Sequence, residues 1–491
     1  MSMEYYTFSL LFFLPIIFNI IYSRWTTKST LPPGPKPLPI IGNIHQLGNM
    51  PHRAVANLSK IYGPIMTLKL GSRTTIVISS SKILHDVFLK HDLAFSGRVV
   101  PQAGKTLNHD KISVIWLPVC PKWRQLRKIA TIQLFTTQKL DASRFLREKI
   151  MKELVEYVQK CCETRVPVDI GKAGFTTTLN LLSNTLFSKN LASYVSSYPQ
   201  EFRDLVTHLS EEAGKPNVSD FFPLLGNLDL QGVLKRCTIT YNKIFAIFDE
   251  IIDARLKGNS KGINDDVLKT LLKLVEDQEL SLDEVKHLLF DLFVAGTDTT
   301  SNTLEWAMTE LLRNSEKMSK VQIEMDKVLD TQEQLQESDI AKLPYLQAVV
   351  KETFRLHAPT PFLVPHKSEN DVQLGGYLVP KNSSIWVNIW SINRESSVWS
   401  NPEMFIPERF LEKEIDIKGR NFELIPFGSG RRICPGMPLA QRMLHLMLAT
   451  LLKSFNWKHV YENGAKEINM EEKFGITLQK LEPLQAIPVP K

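Results

Sequence analysis

The stretch FGSGRRICPG, Phe427 to Gly436, places a single cysteine, Cys434, at the end of a glycine-rich loop. It directly precedes an apolar helical pattern that starts near Met437 and continues to about Phe455. A cysteine at a helix N-terminus meets the positive end of the helix dipole, which lowers the thiol pKa and favours the thiolate. Because thiolate is the form that binds metals, the loop predicts a metal ligand. A buried structural cysteine in a turn is the alternative.

The residues around Cys434 make this loop more specific. Gly430 and Gly436 leave room for a flat, bulky group close to the main chain. Together with Phe427 and Arg432 they form a spaced pattern that resembles the haem-binding loop of the cytochrome P450 family, the haem-thiolate monooxygenases. This resemblance is the starting point for the rest of the chain.

The resemblance implies a role for each of these side chains. Cys434 is expected to be the axial iron ligand of haem b (iron protoporphyrin IX), Arg432 to pair with a haem propionate, and Phe427 to pack near the sulfur. Gly430 and Gly436 are expected to border the cofactor. A thiolate axial ligand favours O–O cleavage, so O2 is the implied co-substrate.

The chain has 491 residues, yet no linker rich in proline, glycine or serine divides it, and 257–266 is predicted to be a surface loop between helices. Residues 64–80, PIMTLKLGSRTTIVISS, are rich in β-branched residues around Gly71-Ser72 and predict a hairpin, and 384–389 is expected to join its sheet. Helical patterns dominate elsewhere. The sequence predicts a mainly α (α+β) catalytic domain, residues 40–491, with small sheets, and the resemblance implies the cytochrome P450 fold.

Residues 1–24 are predicted to be a transmembrane anchor. Tyr5 to Ser23 is apolar and almost uncharged, and as a helix it would span roughly 28 Å, about one hydrocarbon core. A cleaved signal peptide is the alternative, but it needs a basic segment before the apolar run, where this chain has Glu4. The retained anchor is therefore favoured.

The segment 25–39 that follows is basic and rich in proline, ending in LPPGPKPLP, and predicts a stiff hinge. Arg24 and Lys28 put positive charge after the apolar run, which predicts a single pass with the catalytic domain on the cytosolic face. The family has the same arrangement in its endoplasmic-reticulum members, so the resemblance implies that membrane.

The net charge of +7 is scattered along helical patterns, with no arginine-rich run and no zinc-finger spacing. No nucleic-acid partner is therefore expected. A basic face suits an acidic electron donor. Since the chain has no GxGxxG loop of its own, a monooxygenase would take electrons from NADPH through a separate reductase, without binding NADPH itself.

Four further cysteines have no metal-ligand spacing. Cys161 and Cys162 are adjacent, Cys120 and Cys237 lie in apolar surroundings, and a cytosolic domain keeps its thiols reduced. All four are predicted to be structural.

A second candidate functional motif lies in the predicted helix from Ser281 to Arg313. This helix begins with a capping-box pair, Ser281 and Glu284. In its middle stands AGTDTT (295–300), where a glycine and several polar residues interrupt an apolar helix. One interpretation is a kink whose threonines bond back to carbonyls. The other is a functional site, because local rules that fail together in a core helix often mark function.

The same motif occurs in the family's oxygen-binding groove, which by resemblance places Ala295 and Gly296 beside the haem. There Asp298 and Thr299 are the catalytic pair that relays protons during oxygen activation. Haem-thiolate isomerases and dehydratases typically lack this acid-alcohol pair, so its presence favours true monooxygenation.

Two pairs of side chains at helical spacing complete the haem environment by resemblance. Trp123 and Arg127 lie four residues apart and could together satisfy one buried carboxylate. An ordinary amphipathic pair is the alternative. By resemblance, WxxxR matches the family's second propionate clamp. Glu352 and Arg355 lie three apart, and with Arg409 of PERF they match the family's buried Glu-Arg-Arg network. An exposed ion pair is the alternative for Glu352 and Arg355.

The family's topology places mainly apolar residues at the substrate pocket. Those predicted are Ile115, Phe293, Val294, Phe362, Leu363 and Phe474. His366 stands where relatives often have an arginine against a propionate, so it is a further candidate for haem binding. No paired charge for an amino acid's carboxylate and ammonium is evident among the pocket residues.

At finer grain the chain resembles the plant branch that contains geraniol 8-hydroxylase, judging from LPPGPKPLPIIGN, LSKIYGPIMTLKLG, DLFVAGTDTTS and MEEKFGITLQK. That branch also includes tyrosine and DOPA oxidases and other terpenoid and phenolic oxidases. The apolar pocket favours a small hydrophobic substrate, a monoterpenoid alcohol, over tyrosine.

Two function classes stay open beside the monooxygenase. A hydrolase would need an activated nucleophile, but Ser429 lies in GSG rather than GxSxG. A non-catalytic haem sensor would share Cys434 but would not need Asp298, Thr299 or an electron donor.

Overall fold

A computed structural model describes residues 31–195, 198–257, 266–329, 335–460 and 467–491. The predicted anchor, the start of the hinge and most of the predicted loop 257–266 lie outside these ranges. Among the residues described, no helix is both long and apolar enough to cross a membrane.

Helices make up most of the described chain. The α-helices are α1 (Pro51–Tyr62), α2 (Ser81–His85), α3 (Pro121–Ala130), α4 (Thr137–Ala142), α5 (Arg144–Thr164), α6 (Ile170–Phe187), α7 (Tyr198–Gly214), α8 (Val218–Phe221), α9 (Val233–Leu256), α10 (Val267–Glu276), α11 (Leu282–Arg313), α12 (Ser315–Val328), α13 (Pro344–Leu356), α14 (Ile389–Ile392), α15 (Arg409–Glu412) and α16 (Met437–Ser454). Shorter 3-10 or π turns cover Ile44–Gln46, Asp86–Lys90, Gln102–Lys111, Thr131–Phe135, Pro223–Leu228, Glu337–Lys342 and Gly430–Arg432.

The strands are short and form four small sheets. They are β1 (Ile65–Leu70), β2 (Arg73–Ile78), β3 (Gly97–Arg98), β4 (Val168–Asp169), β5 (His366–Lys367), β6 (Val372–Leu374), β7 (Tyr377–Val379), β8 (Ser384–Val387), β9 (Phe455–His459), β10 (Glu472–Phe474), β11 (Leu478–Lys480) and β12 (Gln485–Pro490). The sheet orders are β1-β2-β8-β5-β3, β4-β12-β9, β10-β11 and β6-β7.

The predicted hairpin is confirmed. β1 and β2 pair antiparallel across Gly71 and Ser72, and Gly71 takes the left-handed conformation (φ +58°) that the tight turn requires. β8 joins β2 in parallel, with Thr75 opposite Ser384. The predicted mainly α architecture with small sheets is therefore the one observed.

The central helix α11 begins where the sequence predicts. The Ser281 hydroxyl accepts the Glu284 N–H at 3.1 Å, and the Glu284 carboxylate accepts the Ser281 N–H at 2.8 Å, which satisfies two free donors of the first turn. The helix then continues unbroken to Arg313, packed against α6. It is the element around which the site is arranged.

Candidate active site

The cysteine loop closes on itself just before α16. The Cys434 N–H donates to the carbonyl of Phe427 at 2.9 Å. The cysteine sulfur accepts hydrogen bonds from the backbone N–H groups of Gly436 and Met437 at the start of the helix. The loop therefore presents one thiol at a helix N-terminus, as the sequence predicts.

The expected lowering of the thiol pKa is wrong for the protein without a metal. Burial raises the pKa of Cys434 above its ordinary 9.0, although the two amides and the positive charge of Arg127 act in the opposite direction. The helix terminus offsets only part of the desolvation cost. A bound metal ion would favour the thiolate, since a coordinating thiol is deprotonated by the metal itself.

Glycine at positions 430 and 436 of the loop is explained by different local contacts. Gly430 has φ +64°, and a Cβ there would collide with the carboxylate of Asp92. Asp92 accepts the Arg431 N–H at 3.1 Å and pairs with its guanidinium at 2.8 Å. A Cβ on Gly436 would lie 3.8 Å from the Cys434 sulfur, an ordinary contact. Glycine at position 430 is therefore favoured by its positive φ and by the nearby Asp92 carboxylate, and the expected haem contacts of Gly430 and Gly436 stay predictions.

Three arginines converge beside this loop and form what we call the arginine cluster: Arg98, Arg127 and Arg432. Each donates to main-chain carbonyls, for example Arg432 Nε to Ser96 O at 2.9 Å, and Arg127 to the carbonyl of Ile433. Among the described residues no ion pair joins any of the three to a carboxylate, although the charges of Glu369 and Asp92 act on Arg432 from farther away. Positive charge is thus collected here without an anion in contact.

The arginine cluster is electrostatically unfavourable as it stands. Arg432 Nη1 and Arg98 Nε are buried without a hydrogen-bond partner. Burial and repulsion by Arg127 lower the pKa of Arg432 to about 10, and burial and the other two guanidiniums hold the pKa of Arg98 well below its usual range. Unpaired buried donors cost free energy, so the cluster fits an anionic ligand such as the propionates of a haem.

Sequence reasoning missed Arg98. It lies in β3, directly opposite His366 of β5, so only the strand pairing brings it to the site. His366 Nδ1 contacts the Phe95 carbonyl at 2.7 Å. Burial and the charges of Arg98 and Arg432 hold the pKa of His366 well below its ordinary value. The histidine is therefore neutral, and no fourth positive charge is added.

The indole N–H of Trp123 donates to the carbonyl of Val114 at 2.9 Å, and its expected contact with a propionate stays a prediction. The Arg432 guanidinium instead lies 4.7 Å from the centre of the Trp123 ring, within the range of a cation–π contact. Trp123 therefore supports an arginine of the cluster, and Arg127 is the polar member of the WxxxR pair.

The predicted catalytic pair lies at mid-length in α11. The Thr299 hydroxyl donates to the Ala295 carbonyl at 2.9 Å, as the back-bonding interpretation expected. The buried Asp298 carboxylate is turned to the C-terminal strands, where Thr477 and Gln479 donate to it. The two residues are adjacent in sequence but do not hydrogen-bond to each other.

Gly296 has a packing reason beside its predicted place at the haem. A Cβ on this residue would lie 2.9 Å from a methyl group of Leu182 in α6. Ala295, one residue earlier, is exposed. The small residues therefore allow α6 to approach α11 closely where the polar motif begins.

Glu352, Arg355 and Arg409 form one buried network. Arg355 donates to both oxygens of Glu352, at 2.7 and 2.8 Å, and Arg409 donates to the same carboxylate at 3.1 Å. The remaining Arg355 nitrogen donates to main-chain carbonyls at 2.6 and 2.8 Å. Phe354 packs against Phe427 with ring centres 5.2 Å apart, so the network adjoins the cysteine loop.

A cavity of about 130 Å³ lies between the β1-β2 hairpin, α8 and the C-terminal hairpin. Three of the residues predicted for the substrate pocket, Phe362, Leu363 and Phe474, line it. Ile115, Phe293 and Val294 do not line this cavity. Phe293 is fully buried and stacks on Phe187 with ring centres 5.5 Å apart, in the aromatic core.

One end of this cavity is charged, which the sequence did not indicate. Arg73 and Asp220 both line it. Arg73 donates to the main-chain carbonyl of Asp220, while the Asp220 carboxylate accepts the Gln102 N–H at 2.7 Å. Ser72 donates through both its N–H and its hydroxyl to the Phe221 carbonyl, at 2.9 and 2.8 Å. The hairpin turn and α8 thus meet at a polar seam.

The chain is similar to one family of proteins over almost its whole length. Residues 32–484 match the family described as Cytochrome P450. Cytochrome P450 monooxygenase 76AD131 of Lophophora williamsii is 54% identical, over 97% of this chain and 98% of that protein. Geraniol 8-hydroxylase of Catharanthus roseus is 50% identical, over 99% of each.

A solved structure agrees with these relatives. The zebrafish cytochrome P450 with progesterone covers 90% of this chain and 99% of its own, with 25% identity and a TM-score of 0.75. The fold, the similar proteins and the uncompensated charge of the arginine cluster are all consistent with one haem-binding family. The chain therefore belongs to the cytochrome P450 family and is a monooxygenase that uses haem b, O2 and electrons supplied by a reductase.

Proposed function

We propose that this enzyme hydroxylates a small hydrophobic plant metabolite, a monoterpenoid alcohol of the kind that geraniol represents. The observation that carries the proposal is the cavity, whose wall includes Phe362, Leu363, Trp386 and Phe474. Apolar walls bind an apolar substrate mainly by removing its surface from water. The similarity to a geraniol 8-hydroxylase supports the same substrate class.

The main candidate site residues have distinct parts in this proposal. Cys434 would hold the iron, and the arginine cluster would bind the propionates. When bound, haem supplies the chemistry that splits O2 and places one oxygen atom in a C–H bond of the substrate. The other atom leaves as water after two electrons and two protons are consumed, and Asp298 and Thr299 move those protons. The apolar cavity walls exclude bulk water.

The cellular setting is part of the proposal. Residues 1–24 anchor the chain in the endoplasmic reticulum membrane by a single pass, and 25–39 form the hinge to a cytosolic catalytic domain, 40–491. The electrons come from NADPH through a cytochrome reductase in the same membrane. The basis is the apolar run, the basic residues that follow it and the basic net charge.

Tyrosine is the second candidate substrate, because Arg73 and Asp220 together line one end of the cavity. A guanidinium and a carboxylate suit the carboxylate and ammonium of an amino acid, while the apolar walls suit its ring. The sequence analysis identified no such pair of charges among the predicted pocket residues. A monoterpenoid alcohol uses neither charge.

The decisive experiment uses membranes that contain the enzyme and a reductase. NADPH is added, and geraniol, tyrosine and a coumarin ether are tested in parallel as substrates. The proposal expects an oxygenated geraniol product, unaffected by Arg73→Leu or Asp220→Asn. Turnover of tyrosine alone, lost in both variants, would replace the terpenoid proposal by the second candidate. Haem content of each variant is the control for folding.

The two candidates also differ in pH dependence. Burial raises the pKa of Asp220 to about 6. As pH falls through about 6, this carboxylate becomes neutral and loses its attraction for an ammonium group. Tyrosine binding is therefore expected to weaken below that pH, whereas geraniol binding is expected to stay constant. Ligand titrations followed by the Soret shift on either side of pH 6 measure the difference.

A further inference from the structure

The carboxylate of Asp298 is held by two side chains of the C-terminal hairpin rather than by its own helix. The Thr477 hydroxyl donates to one oxygen at 2.8 Å, and Gln479 Nε2 donates to the other at 2.7 Å. Asp298 is only 3% exposed, and Thr477 is 7% exposed. Both carboxylate oxygens are therefore committed to partners that lie far from α11 in the sequence.

Thr477 is itself held by α7. Because the Thr477 hydroxyl gives its proton to Asp298, the Ser210 hydroxyl, 2.7 Å away, must donate to Thr477. The Thr477 N–H donates to Ser210 Oγ at 3.2 Å, and the Ile476 N–H donates to the Ser210 carbonyl at 3.0 Å. A directed hydrogen-bond chain thus passes from Ser210 through Thr477 to Asp298.

The same contact forms part of the cavity wall. A Cβ on Gly475 would lie 2.9 Å from Ser210 Oγ, and a Cβ on Gly214 would lie 2.6 Å from Gly475 Cα, so two glycines allow α7 and this turn to touch. Gly214, Gly475 and Ile476 line the cavity. A ligand that displaces the turn would therefore disturb the donor to Asp298.

We propose that Thr477 is a positioning residue for Asp298: its hydroxyl, oriented by Ser210, fixes the carboxylate and links proton delivery to the wall of the substrate cavity. The inference rests on the proposed proton-transfer role of Asp298. Nothing in the sequence pattern marks Thr477, which lies in the tail FGITLQK.

The balance of protons makes this testable without knowing the substrate. Without substrate, reductase and NADPH reduce O2 either to hydrogen peroxide, using two electrons and two protons, or to two water molecules, using four of each. Poorer proton delivery to the site favours peroxide. The ratio of NADPH to O2 consumed, one for peroxide and two for water, therefore reports on the pair Thr477 and Asp298.

The experiment compares Thr477→Val, Thr477→Ser and Asp298→Asn with wild-type holoenzyme. Thr309→Val is the matched control, because that buried hydroxyl donates only to its own helix, to the Glu305 carbonyl at 2.7 Å. Two quantities are measured: water formed relative to peroxide, and the infrared stretching band of carbon monoxide on the reduced protein. The second is independent of turnover and reports the polar groups around the bound gas.

Thr477→Val is expected to lower the water-to-peroxide ratio about two- to tenfold, the effect of one hydrogen bond, and to shift the carbon monoxide band. Thr477→Ser keeps the hydroxyl and is expected to leave the water-to-peroxide ratio and the carbon monoxide band close to those of the wild type. Thr309→Val is expected to change neither quantity. The inference fails if Asp298→Asn changes both readouts while Thr477→Val changes neither. If Asp298→Asn also behaves as wild type, the proposed role of Asp298 fails and the inference with it.

Discussion

Two groups of arginines lie on either side of the cysteine loop, and they differ in how their charge is balanced. In the first, Arg355 and Arg409 share the carboxylate of Glu352, and Arg355 uses the rest of its donors on main-chain carbonyls. In the second, the arginine cluster, Arg98 and Arg432 each keep a buried nitrogen without a partner. The first group is complete within the chain, and the second is not.

We expect this difference between structural arginines and arginines that bind a ligand. A buried guanidinium is stable only when an anion and acceptors satisfy it. Where the chain supplies the anion, the network holds the fold together. Where it does not, we propose that a ligand supplies the anion, and in this family that ligand is haem. Removing a member of each group should therefore have opposite effects on the protein without haem.

The largest effect is expected for Glu352→Ala. It leaves two buried guanidiniums without their anion, which typically costs about 3–5 kcal/mol. We expect little folded protein and no thiolate-type carbon monoxide spectrum, with or without added haem. Glu148→Ala is the control, because Glu148 pairs with Arg144 at the surface, 2.7 Å apart, and should lose at most about 1 kcal/mol. Normal folding of Glu352→Ala would show that the two groups do not differ as described.

A smaller and qualitatively different effect is expected for Arg98→Ala. Losing one charge-assisted contact to a propionate should weaken haem binding by about 1.5–3 kcal/mol. The protein without haem should keep or slightly raise its thermal midpoint, because the variant removes repulsion with Arg127 and Arg432. Haem transfer to apomyoglobin and thermal unfolding of the apoprotein measure the two quantities. A drop in apoprotein stability as large as that of Glu352→Ala would contradict the comparison.

The smallest effect is expected at His366, whose pKa lies well below its ordinary 6.5 because of burial and the nearby arginines. As pH falls through 6.5 the unfolded chain takes up a proton at this residue and the folded protein does not. Stability is therefore lost below pH 6.5, by at most about 1.4 kcal/mol per pH unit. His366→Asn keeps a donor for the Phe95 carbonyl and should lose less stability between pH 6.5 and the acid range. Equal pH slopes in the two proteins would show that His366 does not remain neutral.

Much of this arrangement was predictable because it depends on short segments. The cap of α11, the hairpin at Gly71 and the start of α16 are set by residues within a few positions of each other. Glu352 and Arg355 meet because they lie three residues apart on one helix. In these cases local geometry is sufficient.

What the sequence did not reveal depends on distant segments. Arg98 reaches the site only through the pairing of β3 with β5, and Thr477 reaches Asp298 only through the C-terminal hairpin. The cost of burying Cys434 outweighs the effect of the helix terminus, and no local pattern measures burial. Arg73 and Asp220 likewise come together only because α8 packs on the β1-β2 turn.

The polar seam between that turn and α8 has a consequence for local motion. The hydrogen bonds from Ser72 to the Phe221 carbonyl lie at the surface, where water can replace each bond as it breaks. Each such bond contributes only about 0.5–1.5 kcal/mol. The turn can therefore loosen at Ser72 without disturbing the packing of α6 against α11.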